Sequence, residues 1–196
     1  MAIPPSVETC WAELDATAKR ERLLAAAGEV FAREGIEAPM PAIAAAAGAG
    51  VGSVYRQFPS KQDLLAALVI ERHERVAVDA DAALGDPGGA WSGLLAMLRA
   101  LAARQAGDDV LAEAMVTVSA LPDVRDAVAR TMHSLEALLD AAKAEGCLRA
   151  DATAMDLRLL FAATRAARGL ETGAWQRMLE LGIDALRADA QARSGR

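Results

Sequence analysis

The stretch PAIAAAAGAGVGSVYRQF, residues 41–58, decides the fold. Alanine is the best helix former, and a proline in a first helical turn loses an N–H that would be unpaired anyway. Pro41–Ala47 therefore predicts a short helix. Gly48-Ala49-Gly50 predicts a turn, and Val51–Phe58 a second short helix that Pro59 ends. Ile43 and Val54 are placed to pack between the two helices. Ala44 and Ala47 are small enough for a close crossing, and Gly48 tolerates the positive φ of a tight turn. Two short helices joined by a glycine corner read as a helix-turn-helix. Its second helix offers Val51, Gly52, Ser53, Tyr55, Arg56 and Gln57, and part of that surface suits a DNA major groove. Tyr55, the single tyrosine, can donate to a phosphate oxygen while its ring packs on sugar or a thymine methyl.

Working outward, an upstream helix is expected from Thr17, a candidate cap, to Gly35. Leu23, Leu24, Ala27, Val30 and Phe31 form its apolar stripe. Lys19, Arg20 and Arg22 in its first turns suit either a solvated face or a phosphate-facing patch. Downstream, Ser60 and Asp63 have capping-box spacing and open a long helix reaching Leu84. Lys61 in its first turn can hold a phosphate together with the free helix N–H groups. Residues 85–89, GDPGG, break the chain. Further helices are expected over 90–105, 109–119, 123–145, 153–170 and 174–189, separated by Gly107, Leu121-Pro122, Gly146 and Gly173. No segment alternates with a two-residue period, so the fold class is all-α. The expected organisation is a flexible tail over 1–14, a helix-turn-helix domain over 15–62, a second helical domain over 63–190 and a tail over 191–196.

Composition and charge agree with this organisation. Hydrophobic residues make up 54% of the 196, ample for a buried core. The net charge of −6 argues against a protein that coats nucleic acid non-specifically, but its distribution is uneven. Ala38–Gln62 holds no acidic residue while carrying Arg56 and Lys61. Carboxylates repel phosphates at close range, so this window is the one suited to a phosphate backbone. The longest uncharged run, Ala38–Tyr55, spans 18 residues but contains two prolines and three glycines. It is no membrane span. Cys10 and Cys147 make no disulfide framework, and the N-terminus is not a secretory signal, so a cytoplasmic location is expected.

Other chemistries find little support. Residues 47–53 superficially resemble a phosphate-cradling glycine loop, but no strand precedes them and no lysine follows the last glycine. His73 and His133 are distant in sequence from both cysteines, which argues against a metal site. No nucleophile and base stand at a recognisable spacing. No cofactor and no catalytic activity are expected.

Arg22-Leu23-Leu24-Ala25-Ala26-Ala27, Val30-Phe31, Gly35, Ile43-Ala44 through Gly48, and Val54-Tyr55-Arg56-Gln57-Phe58-Pro59-Ser60-Lys61 together resemble the N-terminal domain of the tetracycline-repressor (TetR/AcrR) family. The ordered set covers roughly residues 17–70. Residues 174–187 are similar to the last helix in one branch of that family. The resemblance implies a homodimer that binds a palindromic double-stranded operator and is released by a small effector. By position, Gly50, Val51, Gly52, Ser53 and Tyr55 would face bases or nearby backbone, and Gln57 and Lys61 phosphates. Trp91, Met97, Met115, Met132 and Phe161 lie in helices that would surround the family's pocket and suggest an apolar, adaptable one; ordinary core packing is the other reading. Leu159, Ala163, Ala166 and Leu170, with Trp175, Leu179, Ile183 and Leu186, suit either core or a four-helix dimer seam.

The sequence departs from the family pattern at Pro39-Met40-Pro41, where a phosphate-facing Thr or Ser is common. It departs again in Ala42–Ala47, which is uncharged, and at Gln57, which replaces a frequent His. The alternative function is a helical small-molecule-binding or interaction protein with a weakened DNA-binding unit.

Overall fold

The computed structural model describes residues 10–104 and 108–188. Residues 1–9 of the expected N-terminal tail, the separator Gly107, residue 189 of the expected last helix and the tail 191–196 lie outside the described residues. Within them the chain forms a 3-10 turn at Trp11–Glu13 and α-helices α1 (Ala16–Glu34), α2 (Met40–Ala46), α3 (Val51–Gln57), α4 (Lys61–Leu84), α5 (Ala90–Ala103), α6 (Asp108–Val118), α7 (Pro122–Ala144), α8 (Ala154–Ala167) and α9 (Ala174–Leu186). No strand occurs among the described residues; a single antiparallel bridge pairs Leu148 with Arg187. The fold is all-α, as the sequence pattern requires.

The contacts divide the chain into two compact units, with the division inside α4. The first runs to Val69 and includes residues 109–121, which hold most of α6 and the turn after it. Its α1 is capped by Asp15, whose Oδ1 accepts from the Ala18 amide at 2.8 Å. The cap is thus two residues before the expected Thr17, because the Asp15 carboxylate reaches the free amides of the first turn. The expected loose tail also shortens at its inner end, since the Glu13 amide closes the 3-10 turn on the Cys10 carbonyl at 2.9 Å. α1 ends at Gly35, whose φ of 80° is left-handed and whose amide returns to Phe31 O. Leu23, Ala27, Val30 and Phe31 of α1 are fully buried, as are Ile43, Val54, Phe58 and Leu64. Burying the leucine, valine, isoleucine and phenylalanine side chains among them stabilises by about 1.5–3 kcal/mol each relative to exposure. At the start of α4 the Ser60–Asp63 capping box forms: Asp63 N donates to Ser60 Oγ at 3.1 Å and Ser60 N donates to Asp63 Oδ2 at 2.9 Å.

The second unit contains residues 70–108 and 122 onward. Its core is built on Leu94, Leu98 and Leu101 of α5, Leu138 and Leu139 of α7, Leu157 of α8 and Ile183 of α9, all at most 2% exposed. α5 crosses α4 at Gly93, where an added Cβ would overlap the Ala83 carbonyl. The start of α5 is capped from a distance. Glu145, just past α7, accepts from the amides of Ala90 at 2.6 Å and Trp91 at 2.9 Å. α8 opens with a capping box in which Asp156 accepts from both Thr153 N and Thr153 Oγ1. Those bonds hold the Asp156 carboxyl below its ordinary range. Both α8 and α9 end earlier than their apolar patterns suggested. The chain turns over 168–173 to a left-handed Gly173, and Arg187 leaves α9 to bridge Leu148. No helix among the described residues is long and apolar enough to cross a membrane.

Candidate nucleic-acid interface

Local chemistry sets the corner between α2 and α3. The Ala47 amide closes on Ile43 O at 2.9 Å, Gly48 N on Ala45 O at 3.1 Å and Ala49 N on Ala44 O at 2.9 Å. Those bonds satisfy the last carbonyls of α2, and they require the positive φ of 66° at Gly48. Val54 is the buried residue of α3 and faces inward with Ile43 and Ala44 of α2. The helix therefore turns its remaining residues outward. Val51 and Tyr55 are 40% and 47% exposed, and Gly50, Gly52 and Arg56 are exposed as well. Ser53 and Gln57 are half-buried. Arg56 Nη2 donates to Ser53 Oγ at 3.0 Å, which bends the guanidinium back along its own helix.

Two groups flank this face in ways that linear sequence does not reveal. Lys61 lies 3.5 Å from Glu37, a carboxylate just outside the acid-free window. Such an exposed pair contributes about 0–1 kcal/mol, so a phosphate can displace it. The three basic residues at the start of α1 take separate roles. The Arg20 guanidinium lies 4.7 Å from the centroid of the Phe58 ring. Arg22 reaches the Gly48 corner, with Nη2 3.3 Å from where a Cβ on that glycine would stand. Lys19 lines a cleft beside α3. On α2 the exposed positions are Pro41, Ala45 and Ala46, which present no polar side chain.

The remaining site candidates fall elsewhere. Met97 is in the core of the second unit, with Trp91, Met132 and Phe161 packed against that core. Met115 belongs to α6, in the first unit. An open groove of about 770 Å³ lies between α4 and α7, lined by Glu74, Val78, Asp81, Arg130 and His133 among others. None of the five expected pocket residues lines it, and short exposed groups such as Val78 gave no periodic signal for it. The hydroxyl of the fully buried Thr164 finds no hydrogen-bond partner among the described residues.

The two halves of the expected seam separate. Leu159, Ala166 and Leu170 are exposed and Ala163 is half-buried. Leu179, Ile183 and Leu186 are instead at most 6% exposed and belong to the core of the second unit, the other reading given to them. The reason is the tight packing of α9 on α8, where Gly182 lets Leu160 of α8 approach its backbone directly. Trp175 is half-buried, with the Arg168 guanidinium 4.3 Å from its ring centroid.

Comparison with known proteins agrees with this geometry. Residues 23–68 match the family described as bacterial regulatory proteins, tetR family. Among solved structures, the TetR transcription regulatory protein from Mycobacterium vanbaalenii is 31% identical over 87% of this chain and 95% of its own, with a TM-score of 0.65. The TetR transcriptional regulator SCO0520 from Streptomyces coelicolor is 30% identical over 87% of this chain and 99% of its own, with a TM-score of 0.65. A further structure, reported as the molecular basis for control of antibiotic production by a bacterial hormone, is 30% identical over 89% of this chain and 100% of its own, with a TM-score of 0.67. No curated protein matches the chain. A helix-turn-helix with its recognition face open, aligned with such relatives over nearly their whole lengths, identifies the chain as a member of the TetR family of bacterial transcription regulators.

Proposed function

We propose that this regulator is a repressor that binds a palindromic operator as a homodimer and is released by a small, largely apolar effector. The observation that carries the reading is the outward face of α3, where Tyr55 and Val51 stand exposed beside an acid-free backbone while Val54 anchors the helix. Two such helices, related by a twofold axis, would enter successive major grooves about 34–36 Å apart. Gly50, Gly52 and Ser53 let the backbone approach the bases closely, and Gln57 and Lys61 contact phosphates.

The dimer seam is supported by the exposed apolar side chains of Met155 and Leu159 on α8, Leu170 in the turn after it and Leu181 of α9. Small Ala163 and Ala166 lie on the same helix and allow close approach. The effector would bind in the second unit among Trp91, Met97, Met132 and Phe161. Methionines repack readily. The relative described with a bacterial hormone supports small-molecule control. An effector that prefers a conformation with the wrong helix spacing lowers operator affinity by that preference, typically about 1–3 kcal/mol.

The test is a titration against the intergenic DNA beside the protein's own gene. Selective binding that Tyr55→Ala or Lys61→Ala removes supports the reading; affinity no better than for random DNA, and unchanged in both variants, refutes it. The outer face of α2, Pro41, Ala45 and Ala46 with no polar side chain, favours one second reading: a helical ligand-binding module whose DNA-binding unit has weakened. Effector binding without any selective DNA site would establish that reading instead.

A further inference from the structure

Beside α3 lies a cleft of about 440 Å³ formed wholly within the first unit. Its walls are Trp11 and Leu14 from the 3-10 turn and its exit, Lys19 from α1, and Ser53, Arg56 and Gln57 from α3. Asp15 also borders it, but one of its carboxylate oxygens is taken by the Ala18 amide that it caps. The side chains of Lys19, Gln57 and Trp11 make no hydrogen bond or ion pair among the described residues. Arg56 spends one N–H on Ser53 and keeps the others. The cleft thus gathers an ammonium, a guanidinium, a carboxamide and an indole N–H, three of them donors only, on a flank of the recognition helix.

We infer that this cleft grips one DNA backbone phosphate at the edge of the major groove, with Lys19 and Arg56 supplying charge and Trp11 covering the adjoining deoxyribose. The inference rests on the DNA-binding reading above and adds to it. The chain before α1 then becomes part of the interface, and each half-site gains a phosphate contact outside the helix-turn-helix. The occupant is an anion because the walls offer donors in excess. It is a phosphodiester because the same Arg56 and Ser53 belong to the helix that faces the bases. The half-buried indole suits it too, since a flat ring with one N–H can pack on a sugar and donate to the phosphate beside it.

The experiment measures operator affinity of the intact chain across a salt series for wild type, Lys19→Gln, Trp11→Phe and Tyr55→Ala, with Lys143→Gln on α7 as a charge control. Losing one phosphate per protomer lowers the salt slope by about 1.8, so the wild-type advantage over Lys19→Gln shrinks about twelvefold between 50 and 200 mM salt. Tryptophan emission should change when wild type binds operator and should lose that change in Trp11→Phe. Equal slopes for Lys19→Gln and wild type, with Tyr55→Ala still losing selective binding, overturn this contact alone. No selective binding by wild type overturns the contact and the DNA-binding reading together. A slope change in Lys143→Gln equal to that in Lys19→Gln also overturns it, because bulk charge would then explain the effect.

Discussion

Three glycines within five residues of the α2–α3 corner should respond to alanine with three different signs. Gly48 has a φ of 66°, and a Cβ there would stand 3.3 Å from Arg22 Nη2. The guanidinium can move aside, so backbone conformation dominates. Forcing an L-residue left-handed costs about 1–2 kcal/mol. Gly52 lies inside α3 with nothing within 4 Å of a Cβ. Alanine there gains about 0.5–1 kcal/mol from the lost flexibility of glycine in a helix. Gly50 caps α3 with an ordinary extended φ of −71° and equally open space. Its small capping advantage and the entropy that alanine removes from the unfolded chain nearly cancel.

The assay is urea unfolding of the chain carrying Trp91→Phe and Trp175→Phe, so that Trp11, which belongs to the first unit, is the sole indole emitter. With a slope of about 1.5 kcal/mol/M, Gly48→Ala should lower the midpoint by about 1 M and Gly52→Ala raise it by about half that. Gly48→Asn should recover much of the loss, since asparagine tolerates the left-handed region. If Gly48→Ala is no less stable than Gly50→Ala, the corner is not held by a left-handed residue. The geometry that aims α3 would then need another explanation.

Other perturbations test separate links. Glu37→Gln removes the carboxylate 3.5 Å from Lys61, and operator affinity should rise with a salt slope steeper by up to about 1.8 per dimer; unchanged affinity and slope would mean that Glu37 does not compete with a phosphate for Lys61. His73 of α4, 3.2 Å from Thr131 Oγ1 of α7, is held below its ordinary value of 6.5 by burial, with Arg72 and Arg158 adding to the effect. The unfolded chain therefore takes up a proton that the folded chain resists. Stability should fall as the pH drops below about 6.5 and level off beneath the folded value. His73→Gln should flatten this part of the urea-midpoint profile, and an unflattened profile would assign it to other groups. Leu159→Glu places a carboxylate on the exposed stripe of α8 and should convert a dimer to monomers in sedimentation; a dimer that persists locates the seam elsewhere.

Local features were readable in one dimension because their causes are local. The alanine run, the Gly48 corner, the Ser60–Asp63 box and the breaks at residues 85–89 and at Gly173 each act within a turn or two, and the structure reproduces them. The outward face of α3 was also legible, since burying Val54 on a seven-residue helix leaves few choices for its neighbours. Boundaries were less legible wherever a nearby group competed. Asp15 displaced Thr17 as the cap of α1. The bridge at Arg187 ended α9 ahead of its apolar pattern.

Residue order alone gave the class of the protein: all-α, with a helix-turn-helix near the start and a motif-poor helical remainder. Periodicity and capping depend only on residues three or four apart, and these are adjacent in any helix. Tertiary structure alone decided which charges and apolar faces meet. It set Glu37 against Lys61, Glu145 onto the start of α5, Trp11 beside Arg56, and Leu179, Ile183 and Leu186 inward while Leu159 stayed exposed. Those pairings join residues that a helical period does not relate, and the close approach of whole helices is likewise tertiary, as where Gly93 meets Ala83 and Gly182 meets Leu160.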